Sequence, residues 1–298
     1  MPTNTIEKPT VSIISPVYNG EDRISELLES ILNLDYPREL LEIIIVDNGS
    51  TDNTKEIVKK YPATLLEETE IQSSYAARNK GIQNSSSEII AFVDSDCIVT
   101  PQWINEGVKH FHNNADLVGG KIEFYYSKRK SAAEMYDSIT NMQNECNIRE
   151  RNVAKTANLF ARSSLFSSIG MFPKNEISGG DVYWTALATK NGYSLVYAPE
   201  AVVKHPARTL KDLLKKHYRV GQGMANARSM ESKRSNKKSL FRLLFPRISD
   251  IKNLIEERGT ADMNKKIFKI WIVAYICNIT TVLGVIRKHL HNRGCNRC

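Results

Sequence analysis

Two carboxylates two residues apart, Asp94-Ser95-Asp96, close a short apolar run at residues 88–93 (EIIAFV). Such a run reads as a buried strand, which puts the pair on the loop just beyond the strand's carboxyl end. Two carboxylates placed there can share a hard divalent cation that also bridges phosphate oxygens. The same residues could instead serve only as an Asx-type turn ending the strand, and a D-x-D alone does not decide between the two. A third carboxylate, Asp181, follows Gly179-Gly180 and opens a helical pattern holding Val182, Trp184 and Leu187. The glycines let backbone pass close to a ligand. Asp181 can cap that helix or take the proton of an attacking hydroxyl. Trp184 suits stacking on a sugar or burial in a core equally well.

The elements that would position these groups alternate. Residues 11–16 (VSIISP) read as a buried strand, followed by an Asn19-Gly20 turn and a helix marked by Ile24, Leu27, Leu28, Ile31 and Leu32. Residues 41–46 (LEIIIV) give a second strand that stops at Asp47-Asn48-Gly49-Ser50-Thr51-Asp52, where Asp52 or Thr51 can cap the helix carrying Ile57 and Val58. Residues 64–66 give a third strand, residues 73–83 a helix, and residues 88–93 the fourth strand. This order predicts an α/β fold, a Rossmann-like, mostly parallel open sheet with helices on both faces. Ligands bind such sheets beyond the carboxyl ends of the strands. Tyr18-Asn19, the 47–50 cluster and the 94–96 cluster all fall there, so three distant stretches converge on one cleft.

Further on, residues 116–122 and 194–198 read as strands. Residues 132–144 read as one helix whose stripe of Met135, Ile139 and Met142 faces a core rather than a cofactor. The last third changes character. Leu210, Leu213, Leu214, Tyr218 and Met224 share one helical face, and Lys211, Lys215, Lys216 and Arg219 line the other. Residues 233–242 form a basic loop, and residues 270–286 carry no charge, the low end of what spans a bilayer.

The net charge of +8 is local: residues 204–247 hold thirteen Lys/Arg against two acids, so the remainder is slightly acidic. With no zinc-finger, helix-turn-helix or RNA-binding aromatic pattern, the basic segment points to a membrane surface or phosphate-bearing substrates, not nucleic acid. The polar N-terminus lacks a secretory pattern and the five cysteines form no disulfide framework, so the expected compartment is the cytoplasm. His289, His291, Cys295 and Cys298 have a spacing that could hold zinc, though a basic tail with free thiols explains them as well.

Seven blocks stand in one order: Ser15-Pro16-Val17-Tyr18-Asn19; residues 46–52 (VDNGSTD); Ala77-Arg78-Asn79-Lys80-Gly81; Phe92-Val93-Asp94-Ser95-Asp96; residues 156–162 (TANLFAR); Ser178-Gly179-Gly180-Asp181-Val182; and Val203-Lys204-His205. In these blocks the chain resembles the inverting family 2 glycosyltransferases of the GT-A fold over roughly residues 10–208. The resemblance implies a nucleotide-sugar donor, UDP-linked by preference, and Mg²⁺ or Mn²⁺ as cofactor. It implies that Pro16, Tyr18, Asn19, Glu21, Asp47 and Ser50 border the nucleotide, with Asp47 accepting a hydrogen bond from the base. Arg78 and Asn79 would reach the diphosphate and ribose, and Asp94 with Ser95 would lie at the ribose. Asp96 and His205 would bind the metal, an imidazole suiting Mn²⁺ better than Mg²⁺. Asn158, Gly179, Gly180 and Trp184 would border the acceptor or sugar, and Asp181 would be the base. Many family members carry an acidic pair where this chain has Gly180-Asp181, which leaves one candidate base. The family's processive Gln-x-x-Arg-Trp block is missing, so one sugar per encounter is expected.

On this reading residues 1–115 form the donor-binding half, residues 116–208 the acceptor-binding and catalytic half, and residues 209–298 a basic, apolar helical region. The acceptor would be a glycan or lipid-linked glycan. The last third would hold the chain peripherally at the inner face of a membrane, a single C-terminal span being the other arrangement its length allows. Other classes fit less well. An oxidoreductase would need G-x-G-x-x-G where Pro16-Val17-Tyr18-Asn19 stands. A nucleotidyltransferase would need a basic Gly-rich loop, and a membrane-associated carbohydrate-binding scaffold would not need Asp94, Asp96 and Asp181 together.

Overall fold

Alternate residues of the first strands bury into two different cores, as a sheet covered on both faces requires. Ile13, Ile43, Ile45, Ala91 and Val93 join one core, and Ile14, Ile44, Val46, Ile90 and Phe92 join the other. In the computed structural model, which describes residues 7–230 and 245–295, these strands belong to an eight-stranded sheet. Its members are β1 (Val11–Val17), β2 (Leu41–Asp47), β3 (Thr64–Glu67), β4 (Ile89–Val93), β5 (Ile98–Val99), β6 (Leu117–Tyr125), β7 (Asn158–Arg162) and β8 (Leu195–Pro206). The spatial order is β3-β2-β1-β4-β7-β6-β8-β5.

The pairs β1–β2, β2–β3 and β1–β4 are parallel. The intervening crossovers carry α1 (Ile24–Leu32), α2 (Thr54–Val58) and α3 (Ser74–Gln83). The chain winds outward from β1 to β3 and then restarts at β4 on the other side of β1. That reversal opens a crevice at the carboxyl ends of β1 and β4, where open sheets bind ligands. The expected parallel sheet therefore holds for its first four strands. Beyond them β4–β7, β6–β7 and β5–β8 run antiparallel, a direction that apolar periodicity does not encode.

Among the described residues the remaining α-helices are α4 (Trp103–Val108), α5 (Ala132–Thr140), α6 (Asn144–Arg151), α7 (Ser164–Ser168), α8 (Gly180–Lys190), α9 (Leu210–Met230), α10 (Ile248–Arg258), α11 (Ala261–Asn264) and α12 (Ile267–Cys295). The single helix expected over residues 132–144 is two. Ser131 and Glu134 form a capping box that starts α5, and Met142 takes a left-handed φ of 54° that ends the regular backbone. Asn144 then starts α6 by donating from Nδ2 to the carbonyls of Gly120 and Asn158, both at 3.0 Å. Met135 and Ile139 are buried as expected, while Met142 lies outside the helix.

Two compact units result. One comprises Met1–Glu123, Gln143–Glu176 and Gly180–His205, and the other Phe124–Met142, Ile177–Gly179 and Pro206–Cys298. The first holds both cores of the sheet. The second is built from α5 and α9 to α12 around Met135, Ile139, Leu213, Ile251, Ile255 and Ile270. Within it α9 and α12 touch backbone to backbone. A Cβ at Gly221 would collide with the Thr281 carbonyl, and one at Gly284 with the Tyr218 carbonyl. Leu210, expected on the apolar face of α9, is exposed, because it stands at the helix's first turn. The basic loop at residues 233–242, Cys298 and the side chains of His289, His291 and Cys295 lie outside the described residues.

Candidate active site

The loops after β1 and β2 are stitched to each other. The Asn19 amide donates to Ser50 Oγ at 2.8 Å, and Asn19 Oδ1 accepts from the Thr51 amide at 2.9 Å. Glu21 Oε2 accepts from the Asn53 amide at 3.0 Å, while the Glu21 amide donates to Asp52 Oδ2 at 3.2 Å. Asn19 stands in the left-handed region at φ 49°, a conformation its short side chain tolerates. Asn53, not Asp52 or Thr51, is the N-cap residue of α2 and makes no side-chain cap bond. Asp52 accepts from the Thr54 amide at 3.0 Å instead. Pro16 is buried in β1 and Tyr18 is exposed beside it.

Asp47 ends β2 fully buried. Its Oδ2 accepts from the amides of Gly49 and Ser50 at 3.1 and 3.0 Å, and its Oδ1 is buried without a hydrogen-bond partner. A buried carboxylate oxygen with nothing to accept from is costly; a donor on a bound base would satisfy it.

The β1–β4 register pairs Ile14 with Phe92, so Asp94, two residues on, reaches the level of Pro16. Arg78 on α3, only 4% exposed, donates from Nη2 to Asp94 Oδ1 at 2.6 Å. Asp94 and Arg78 thus hold each other through Nη2, while Arg78 Nε is buried without a hydrogen-bond partner. Ser95 and Asp96 follow on a turn, half-buried. The β5–β8 register pairs Ile98 with Lys204, and one step back along that ladder Cys97 meets His205. Asp96, Cys97 and His205 consequently offer ligand atoms within 4.8 Å of one another, with His205 Nε2 3.7 Å from Asp96 Oδ1. A carboxylate and an imidazole suit a divalent cation of the Mn²⁺ type whose other ligands come from phosphate or water.

Asp181 lies in the first turn of α8, 8% exposed. Its Oδ1 accepts from Tyr75 Oη at 3.3 Å and from the Val182 amide at 2.9 Å, and Lys155 Nζ stands 3.9 Å from its Oδ2. Burial, and then the charge of Asp181, push the Tyr75 hydroxyl well above the usual phenol value. Tyr75 therefore stays a donor. Gly180 has its own reason to be glycine: a Cβ there would lie 2.9 Å from the Tyr75 ring and displace it from Asp181. Gly179 turns at φ +85°. Neither Tyr75 nor Lys155 was legible in the sequence, since Tyr75 is 106 residues from the carboxylate it serves.

Two expected ligand contacts, those of Trp184 and Asn158, are corrected. Trp184 is fully buried, stacked on Phe166 at 4.6 Å between ring centroids, and donates to the Gly170 carbonyl. It is a core residue and presents no face to a sugar. Asn158 is buried and saturated, donating to the carbonyls of Lys121 and Ala201 and accepting from Trp103 Nε1. Asn79 exchanges two hydrogen bonds with the backbone of Phe172, which hold its amide against that segment. Each of these three residues is a buried polar group that found protein partners.

The family model described as Glycosyl transferase family 2 matches residues 12–169. Glycosyltransferase AglE of Haloferax volcanii is 48% identical over 221 residues, 72% of this chain and 73% of that protein. A poly(ribitol-phosphate) beta-glucosyltransferase of Bacillus spizizenii is 38% identical over 123 residues, 38% of this chain but 19% of that protein. Among solved structures, mannosyltransferase PcManGT from Pyrobaculum calidifontis, in complex with GDP-Man and Mn²⁺, superposes with a TM-score of 0.61 over 95% of this chain and 88% of that one, at 18% identity. TarS 1-349 of S. aureus, in complex with UDP-GlcNAc, gives 0.56 over 94% and 92% at 19% identity. At these identities the likeness speaks for the fold alone, which is GT-A. With the family model covering more than half of the sequence and a relative nearly half identical over most of it, the chain belongs to glycosyl transferase family 2.

Proposed function

We propose that this glycosyltransferase moves one sugar per encounter from a nucleoside-diphosphate sugar, UDP-linked by preference, to a hydroxyl of a glycan or lipid-linked acceptor, inverting the anomeric carbon. Polysaccharide or glycoconjugate assembly is the setting this chemistry fits. The observation that carries it is Asp181, a carboxylate fixed by Tyr75 and the Val182 amide with Lys155 beside it. A base must be held within hydrogen-bond reach of the proton it takes, and the bonds from Tyr75 and the Val182 amide fix where that carboxylate stands.

As the acceptor oxygen bonds to the anomeric carbon, its proton passes to Asp181. The bond from that carbon to the diphosphate oxygen breaks, and its electron pair leaves with the nucleoside diphosphate. Attack and departure on opposite faces invert the configuration with no covalent sugar–enzyme species. Asp47 Oδ1 would accept from the N–H of a uracil-type base, which explains its lack of a protein partner. Asn19, Glu21 and Ser50, locked together, would form the rigid border of the nucleotide. Asp94, oriented by Arg78, would face the ribose. Asp96 and His205 would hold Mg²⁺ or Mn²⁺, whose positive charge offsets that of the departing diphosphate. An acceptor carried at a membrane surface fits the basic and apolar composition of residues 209–298.

Asp181→Asn tests the reading, since it keeps the side chain's size and its capping ability but takes no proton at neutral pH. Turnover should fall roughly 10²- to 10⁴-fold, with donor affinity little changed, and the wild-type product should show the inverted anomer by NMR. A retained anomer, or near-full activity in the Asn variant, would remove Asp181 from this role.

A further inference from the structure

The charge-free run in α12 is two-faced. Ile270, Val273, Ala274, Cys277, Thr281 and Val285 are buried, in the second unit's own core for most of their length. On the opposite side Phe268, Ile272, Leu283 and Ile286 are exposed by 62%, 38%, 53% and 48%. At 100° per residue these four fall within an arc of about 60° and extend over about 27 Å of helix. Trp271 and Tyr275 flank them, ring-stacked with Phe268 and with each other at 5.9 Å in both cases. Exposed Phe245 adds a ring 5.4 Å from Tyr275. Two exposed apolar pairs on one helix face, joined by half-buried Ile276 and Ile279, make a strip that marks a site of contact.

Charge says with what. Residues 265–288 carry five Lys/Arg and no acid. Lys265, in the turn before the helix, and Lys269 and Arg287 within it are exposed, and the helical positions of Lys269 and Arg287 put both along one flank of the strip. Apolar face, aromatic rim and flanking cations are the pattern of a helix lying in a membrane interface. By length and composition the helix is also long and apolar enough to cross a bilayer. Its inner face, however, is in backbone contact with α9, on which Lys211, Lys215 and Arg219 are exposed. Crossing would carry those charges into hydrocarbon, which is strongly unfavourable.

We propose that α12 lies in the plane of an anionic bilayer surface, with Phe268, Ile272, Leu283 and Ile286 at the acyl boundary and Lys265, Lys269 and Arg287 against lipid phosphates. This deepens the membrane-proximal part of the reading above and is independent of Asp181; donor turnover measured without vesicles separates the two.

Flotation of the full chain with phosphatidylcholine vesicles, with and without phosphatidylglycerol, tests it. Binding should need the anionic lipid, weaken with salt, and be released by alkaline carbonate. Lys269→Ala should weaken it by roughly fivefold. Ile272→Ser with Leu283→Ser should weaken it by at least about tenfold without lowering the melting temperature, because both side chains are already exposed. Failure to bind anionic vesicles, unchanged binding by the double variant, or retention through carbonate would each overturn the proposal, the last in favour of a span. Self-association abolished by the double variant, with no vesicle binding, would assign the strip to a second copy of the chain.

Discussion

Asp96 is held by little. It is the most open of the three carboxylates, and its nearest cationic-capable neighbour is buried His205 at 3.7 Å. Asp94 is fixed by Arg78 and Asp181 by Tyr75, so of the three only Asp96 is left open to a cation. If it holds the metal, Asp96→Ala should abolish the extra affinity that Mn²⁺ gives a nucleoside diphosphate while leaving the fold intact. A charge-assisted contact is worth about 1.5–3 kcal/mol, so the loss in Mn²⁺-dependent affinity should be roughly tenfold or more. Calorimetry of UDP with and without Mn²⁺ reads it directly, and an undiminished metal effect in the variant would clear Asp96 of the role. Trp184 and Asn158 teach the complementary lesson. Their residue types suit a sugar site, yet burial and saturation by Gly170, Lys121 and Ala201 make them parts of the frame.

At the scale of elements, the pairing of α9 with α12 buries a titratable group. His217 bonds through Nδ1 to Thr281 Oγ1 at 3.0 Å and stacks on Tyr136 at 6.2 Å, while its Nε2 is buried without a partner. Burial, then the positive charge of Lys216, with a smaller push from Arg208, lower its pKa from 6.5 to about 4 against the opposing pull of Asp137. The unfolded chain therefore takes up this proton before the folded one does. The contribution is intact above about pH 6.5, erodes as the pH falls towards 4, and levels off below that. Allowing for partial solvent screening, it amounts to about 2 kcal/mol. His217→Gln should flatten the urea stability profile between those limits, and a slope equal to that of the wild type would refute the assignment. The same helices surround Asp137, fully buried between Arg208 at 3.2 Å and Lys216 at 3.8 Å. This is a triad in which removing either cation leaves the buried carboxylate less compensated.

For the whole molecule, the proposed site residues Asp47, Asp94, Asp96, Asp181 and His205 all belong to the sheet-bearing unit, although 158 positions separate the first from the last. A donor product should therefore stabilise that unit by mass action. UDP with Mn²⁺ at a hundred times the dissociation constant adds about 2.7 kcal/mol, which for a unit of this size corresponds to roughly 5–10 °C. Scanning calorimetry should show the shift in the transition belonging to the sheet. If neither UDP nor GDP with Mn²⁺ moves any transition, the donor-site reading fails. The net positive charge of the chain, by contrast, belongs to residues of the other unit, the one that bears α9 and α12.

Periodicity and turn chemistry are local, and what they govern was legible in the sequence by itself. They gave the first four strands, the helices between them, and the clustering of Tyr18-Asn19, Asp47 and Asp94 to Asp96 at strand ends, because a buried parallel strand needs an unbroken apolar run and a crossover returns the next one beside it. The order of the seven blocks carried the family and the position of Asp181. Strand direction beyond β4 was not legible, since a period of two is the same in either direction. Nor was the break at Met142, which depends on Asn144 finding the carbonyls of Gly120 and Asn158. Tertiary structure alone decided that Trp184 and Asn158 are framework, that Tyr75 and Lys155 attend Asp181, and that one face of α12 is buried and the other bare. Those outcomes depend on which distant groups arrive within hydrogen-bond or packing range, and no short stretch of sequence contains that.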